Sequence, residues 1–528
     1  MPRIIRVVII GGGISGIAQA IRLKEQLGDH LSLTILEKGA SPGGVWRDAK
    51  WPGAGVDVPI HLYSLYSDLN PDWSERFASQ PDVLAYWESL IDRHGLRNTF
   101  LLNTTYTSST WSAETQTHQI LVTNVETGVK SIHEAEVLIS ATGPLAKPLL
   151  PDVPGIDSFA GPSFHNLRWD TSVDLTGKRV AVVGNGSSGI QFIPGVSDLP
   201  GVTLTHYIRS GGYFVPKIQH KYTAFEKFLF RWVPGVIDLH RFGLLLEHDR
   251  TWSVRTFSDD KRREVLEKEL LEYLEEKAPA EYLEALTPDY PLGAKRTALD
   301  FGWLDSLHRD NVSLVNTGIA QVTANGIETE DGTFRAHDVI IWATGSDVAR
   351  HGLGANVGLH GEDDVELQEF WKDAPQAYRG LAVPGSTAIA RLVRGLLDYD
   401  LSSVQPKQEA FEQHNAEVQE KLANCTARTE KTNNWWGVRV DGKRRITVTN
   451  PQSGIDLWWS TLSTKWQNWD AVRLKSVDSK ARLEKVDVLA IQRRRHAVKV
   501  LLAAGLGAVA YFTPVNQLLT EFASRFYA

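Results

Sequence analysis

At 528 residues the chain is too long for one hydrophobic core and long enough for two or three domains. With 42% apolar and 23% charged residues it reads as an ordinary soluble globular protein, and a formal net charge of −7 argues against a general nucleic-acid surface. One cysteine, Cys425, excludes an internal disulfide and a CxxC redox pair and fits a reducing, cytoplasmic compartment; no metal site is expected.

The β-branched run Ile4–Ile10 predicts a strand buried on both faces. Gly11, Gly13 and Gly16 follow it directly, then a helix over Ile14–Leu27 and a strand over Leu31–Leu36 closed by Glu37. Strand, glycine turn, helix, strand and acid in that order form a nucleotide site: the helix N-terminus faces phosphates, and the carboxylate accepts from ribose hydroxyls. The loop Gly43–Tyr63 has the glycines and tryptophans of a cofactor-ring cradle, and Glu136–Gly143, EVLISATG, ends the first half. A connector, Phe159–Asp170, leads to a second copy of the pattern. That copy has a strand at Arg179–Val183, Gly184, Gly186 and Gly189 around Ser187 and Ser188, and a strand at Val202–Ile208.

Arg209 stands where the first copy has Glu37. A guanidinium binds a 2′-phosphate that a carboxylate would repel, so the second site is expected to take NADPH, with Ser210 and Lys295 as further donors. The plain alternative for Arg209 is a surface salt bridge. Ala224–Leu286 is charge-dense with apolar residues at helical spacing and predicts a helical insertion in the second domain. Val339–Gly345, VIIWATG, echoes VLISATG and is taken as the return to the first domain. Amphipathic helices and a tryptophan-rich region around Trp435, Trp436, Trp458, Trp459, Trp466 and Trp469 follow. Near the end, Arg493–His496 precede the apolar run Val500–Phe512, too short to span a bilayer as a straight helix. A terminal helix packed on the body is the expected reading, and peripheral membrane contact through this tail is the alternative. The fold expected is α/β with two Rossmann-like dinucleotide-binding domains. The first covers 1–145 and 335–490; the second covers 146–334, with its insertion at 224–290; the tail covers 491–528.

FAGPSFHNLRWD resembles the F-x-G-x-x-x-H-x-x-x-W-[P/D] fingerprint of Baeyer–Villiger monooxygenases at Phe159, Gly161, His165, Trp169 and Asp170. GGVWRDAKWPGAGVD, Gly43–Asp57, is similar to that family's second signature. The resemblance runs from the N-terminus to about Val472. It implies FAD in the first site and NADPH in the second, with a C4a-peroxyflavin converting a ketone and O2 into an ester or lactone. It also implies Arg296 as the catalytic arginine held by Asp57, and Lys295 on the NADP phosphate. Gly44, Val45, Trp46 and Tyr63 would lie along the flavin, Gly55, Val56 and Asp57 also along NADP, and His165 would have a conformational role. Sister enzymes that oxidise N or S atoms usually carry Tyr or Phe where Trp169 stands. The chain departs from the family after Gly385: about two dozen residues, a strand, loop and helix start, are missing, judged by the usual length of such units. Ser346 also stands where an aromatic usually follows ATG. This predicts weak FAD binding or slow turnover. The competing readings are a heteroatom-oxidising flavin monooxygenase and a non-catalytic relic of the fold. A disulfide reductase is excluded by the lack of a cysteine pair.

Overall fold

The computed structural model describes residues 3–485, apart from short internal stretches of which the longest are 250–253, 255–259, 349–357, 379–386, 430–436, 448–451 and 457–465. The first sheet is parallel, in the order Phe100–Leu101, Leu31–Leu36, Ile5–Ile10, Val137–Ser140. Its central strand is buried on both faces, as its β-branched run demands. Ile5, Val7 and Ile9 pack against Ile17, Ile21 and Leu23 of helix Ile14–Leu27. Val8 and Ile10 meet Ile120 and Val122 of an antiparallel ribbon formed by Thr104–Ser112, Thr117–Asn124 and Lys130–Ala135.

The second sheet is also parallel, in the order Val312–Val315, Thr203–Tyr207, Arg179–Val183, Val339–Trp342, Ser163–His165. This corrects the expected boundary at 335. Val339–Trp342 pairs with Arg179–Val183 inside the second domain instead of returning to the first. The echo between VLISATG and VIIWATG has a local cause. Gly11 and Gly184 both turn at φ +108, and a Cβ on either would come within 2.7 or 2.5 Å of the carbonyl oxygen of Ala141 or Ala343. Each ATG therefore closes the strand beside its own glycine turn.

The helical insertion also differs from its expected place. Its first two helices, Ala224–Trp232 and Val236–Asp249, dock on the first domain. Tyr222 and Phe230 join the first core, the Tyr222 amide donates to the Ser74 carbonyl at 3.0 Å, and the Arg76 amide donates to the His220 carbonyl at 2.8 Å. Its later helices, Asp260–Lys277 and Leu283–Leu286, add Leu274 and Leu286 to the second core, with Ala278 just beyond the first of them. The insertion thus spans both domains. Helix Thr387–Asp398 returns to the first domain, with Leu392, Val393 and Leu396 in its core and Arg394 Nη1 donating to the Gln26 carbonyl at 2.7 Å. Among the described residues no helix is long and apolar enough to cross a membrane. Gly385, Trp435, Trp436, Trp458, Trp459 and the tail from Arg493 onward lie outside the described residues.

Candidate active site

The first glycine turn is built by close approach. A Cβ on Gly16 would sit 2.0 Å from the Gly11 carbonyl oxygen, so helix and strand meet only through glycine. Gly13 caps the helix, and a Cβ on Gly44 would fall 2.9 Å from Gly13 Cα; the Gly43 amide donates to the Gly12 carbonyl at 2.9 Å. The loop carrying Gly44, Val45 and Trp46 therefore lies directly on the phosphate turn. Glu37 is buried. Its Oε2 accepts from the Gly12 amide at 2.9 Å; its Oε1 accepts from the Gly39 amide at 2.7 Å and from Arg47 Nη1 at 2.9 Å. Three donors on a carboxylate with about four lone-pair sites leave one place on Oε2 for a ribose hydroxyl. Arg47 was invisible as a partner in the sequence.

The second turn repeats the design. A Cβ on Gly189 would lie 2.5 Å from the Gly184 carbonyl oxygen, while nothing stands within 4 Å of one on Gly186, where backbone can meet a ligand. Ser187 and Ser188 open helix Ser187–Ser197. Beside it, Lys295 Nζ donates to Ser210 Oγ at 2.8 Å and lies 4.5 Å from the Tyr290 ring centroid. Burial lowers the Lys295 pKa, and the nearby Arg209 charge lowers it further. Arg209 is exposed and no salt bridge to it occurs among the described residues. Two neighbouring cations that disfavour each other form a place for an anion.

Between the turns, Arg296 Nη2 donates to Asp57 Oδ1 at 2.7 Å and is as close to Oδ2. The Arg296 side chain remains 48% exposed, and its other donors bond no described residue. Trp46 Nε1 donates to the Tyr63 hydroxyl at 2.9 Å, the rings meeting edge-on. Burial raises the Tyr63 pKa; the Asp57 carboxylate acts in the same direction. Val56 is buried and its amide donates to the Ala78 carbonyl at 3.0 Å. Trp51 lies in the second domain's core with Ala49 and Ala54.

A family profile described as an NAD(P)-binding Rossmann-like domain matches residues 9–80. A Baeyer-Villiger monooxygenase of Streptomyces coelicolor is 31% identical over 484 residues, spanning 85% of this chain and 89% of that protein. One from Pseudomonas aeruginosa is 33% identical over 72% of this chain and 70% of its own length. The chain belongs to the Baeyer–Villiger monooxygenases. The fold agrees: a crystal structure of OTEMO in complex with FAD and NADP superposes with a TM-score of 0.75 at 24% identity, covering 89% of this chain and all of that one. A cyclohexanone monooxygenase from Rhodococcus sp. Phi1 bound to NADP+ superposes equally well at 22% identity.

In this Baeyer–Villiger monooxygenase the fingerprint forms the edge of the second sheet. Phe159 packs on the core around Trp342, and a Cβ on Gly161 would come 2.5 Å from the Asp338 carbonyl oxygen and 2.8 Å from the Phe159 ring. His165 is buried; its Nδ1 accepts from the Leu167 amide at 3.1 Å, and its Nε2 bonds no described atom. Burial pushes its pKa down to about 4. Trp169 stacks edge-on with Phe164 and Phe192, and Asp170 Oδ1 caps the following turn through the amide and hydroxyl of Ser172.

Proposed function

We propose that this chain is an FAD- and NADPH-dependent monooxygenase that inserts one oxygen atom from O2 beside a ketone carbonyl, giving an ester or lactone. Bound FAD, once reduced by NADPH, supplies the activated oxygen. The observation that carries the reading is the Arg296–Asp57 ion pair, joining a second-domain cation to the first domain's loop at 2.7 Å. Arg296 offers a fixed positive charge and free N–H donors where negative charge gathers on oxygen, and Asp57 fixes its direction. Gly11, Gly13, Gly16 and the open site on Glu37 hold the FAD pyrophosphate and ribose. Gly44, Val45, Trp46 and Tyr63 face its ring system. Gly184, Gly186, Gly189, Ser187 and Ser188 hold the NADPH pyrophosphate, while Arg209, Ser210 and Lys295 take its 2′-phosphate. Gly55, Val56 and Asp57 lie where the two cofactors approach. The fingerprint residues Phe159, Gly161, His165, Trp169 and Asp170 form the connector and fix it as the edge of the second sheet.

The test is NADPH-dependent oxygen uptake across a ketone panel, with mass spectrometry for a gain of one oxygen, comparing wild type with Arg296→Ala. Oxygen entering a thioether but no ketone, or an alanine variant as active as wild type, would overturn the reading. The missing residues after Gly385 carry a second expectation: FAD is held weakly. A preparation keeping its full flavin absorbance through extended dialysis would contradict it.

A further inference from the structure

The loop that carries Asp57 is tied to both domains at one peptide unit. The Val56 amide donates to the Ala78 carbonyl of the first domain at 3.0 Å. The carbonyl at the other end of the same unit, that of Gly55, accepts from Gln191 Nε2 at 3.1 Å. Gln191 lies on helix Ser187–Ser197 of the second glycine turn and is buried. Its other amide atom is also engaged, with Trp51 Nε1 donating to Gln191 Oε1 at 3.2 Å. Only this orientation of the amide satisfies an indole donor and a carbonyl acceptor together. The backbones are equally close, since a Cβ on Gly53 would meet the Gln191 carbonyl oxygen at 2.8 Å. Two residues beyond Gly55, Asp57 reaches across to Arg296.

We propose that Gln191 is a positioning residue for the Asp57–Arg296 pair, a role that rests on the reaction assigned above. Its side chain makes the carboxylate follow the helix whose N-terminus faces the second nucleotide. The Asp57 position, and with it the Arg296 guanidinium, is set by the pyridine-nucleotide domain although Asp57 belongs to a first-domain loop. Without the tie, Asp57 remains in the chain but its carboxylate is no longer fixed against Arg296. Loss of the Gln191 amide should then spare NADPH binding and damage the delivery of oxygen.

The experiment uses the full-length holoenzyme with Gln191→Leu, which keeps the bulk and removes both hydrogen bonds, and Trp51→Phe, which removes the indole donor, and some ring volume with it, while leaving the Gln191–Gly55 bond in place. Hydrogen exchange at the Val56 amide reads the loop directly, independent of turnover. Ester formed per NADPH consumed, with hydrogen peroxide release, reads the chemistry. Gln191→Leu should lose at least tenfold protection at Val56 and at least fivefold in ester per NADPH, with KM for NADPH within twofold of wild type; Trp51→Phe should show smaller losses in the same direction. A folded Gln191→Leu protein with wild-type protection at Val56, or with a wild-type ester yield, overturns the proposal, as does a loss confined to KM for NADPH. Should Gln191→Leu fail to fold, Gln191→Glu and Trp51→Phe carry the same two readouts: losses in both support the proposal, and wild-type values in either overturn it. A wild-type protein that oxidises no ketone would remove the assigned reaction, and the proposal with it; the exchange data would then still show whether the tie itself exists.

Discussion

Arg296 and Asp57 are 239 positions apart in the chain, yet their side chains bond at 2.7 Å. Removing a fixed donor aimed at developing oxyanion charge typically costs about 10²–10³ in turnover. Arg296→Ala should therefore lower ester formation by about that factor, measured as product by mass spectrometry. Arg296→Lys should recover only part of the loss, because an ammonium lacks the guanidinium's further planar N–H donors, which stay open once Nη2 is on Asp57. At the second site, Arg209→Ala should raise KM for NADPH by roughly tenfold to a hundredfold, the worth of one charge-assisted contact, and leave KM for NADH nearly unchanged. Steady-state kinetics with both nucleotides checks this. The glycines, Glu37 and Arg209 were legible in sequence because each is fixed by its distance along one strand-turn-helix unit. The Asp57–Arg296 pair was readable only through family resemblance. Gln191 left no sequence signal, since an amide inside a helix has no periodicity that points to a carbonyl 136 residues away.

The secondary-structure elements were legible where one period ran uninterrupted, as in Ile5–Ile10 and Arg179–Val183. Which sheet the VIIWATG strand joins is not legible locally, because both ATG segments do the same job, setting an alanine carbonyl against a glycine turn. The fingerprint edge supplies a prediction. Gly161→Ala puts a methyl group against the Asp338 carbonyl and the Phe159 ring, overpacking that should cost about 1–3 kcal/mol. Thermal unfolding of holoenzyme reads the loss. A second prediction comes from histidines within the packed elements. Burial pushes His61 down to about 3 and His165, His206 and His337 to about 4, from an ordinary 6.5. The unfolded chain takes up these protons near pH 6.5 while the native state does not until near pH 4. Stability is therefore complete above pH 6.5 and falls as pH drops toward 4, by up to about 1.4 kcal/mol per pH unit for each such histidine. Denaturant titrations between pH 7.5 and 4.5 should show this slope, and His61→Phe should reduce it.

At the scale of the whole molecule, two cores are joined by more than a hinge. Ala49, Trp51 and Ala54 lie in the second core although they belong to the first domain's loop, and Tyr222 lies in the first core although it belongs to the second domain's chain. Each domain lends the other an apolar anchor, which sequence could not show because both anchors sit in glycine- and proline-rich or charge-dense segments. Replacing Tyr222 with alanine should cost about 3–5 kcal/mol, as for other large buried aromatics, and should loosen the first core more than the second, visible as local hydrogen exchange. The split insertion also bears on protein engineering. A hybrid that grafts the pyridine-nucleotide half of one homologue onto the flavin half of another should keep residues 219–245 with the flavin half and take 260–286 from the donor. A single crossover that takes all of 219–286 from the donor would separate Tyr222 from Ser74, and Arg241, whose Nη1 donates to Ser64 Oγ at 3.1 Å, from the first domain, and the hybrid would begin life with an unmatched seam.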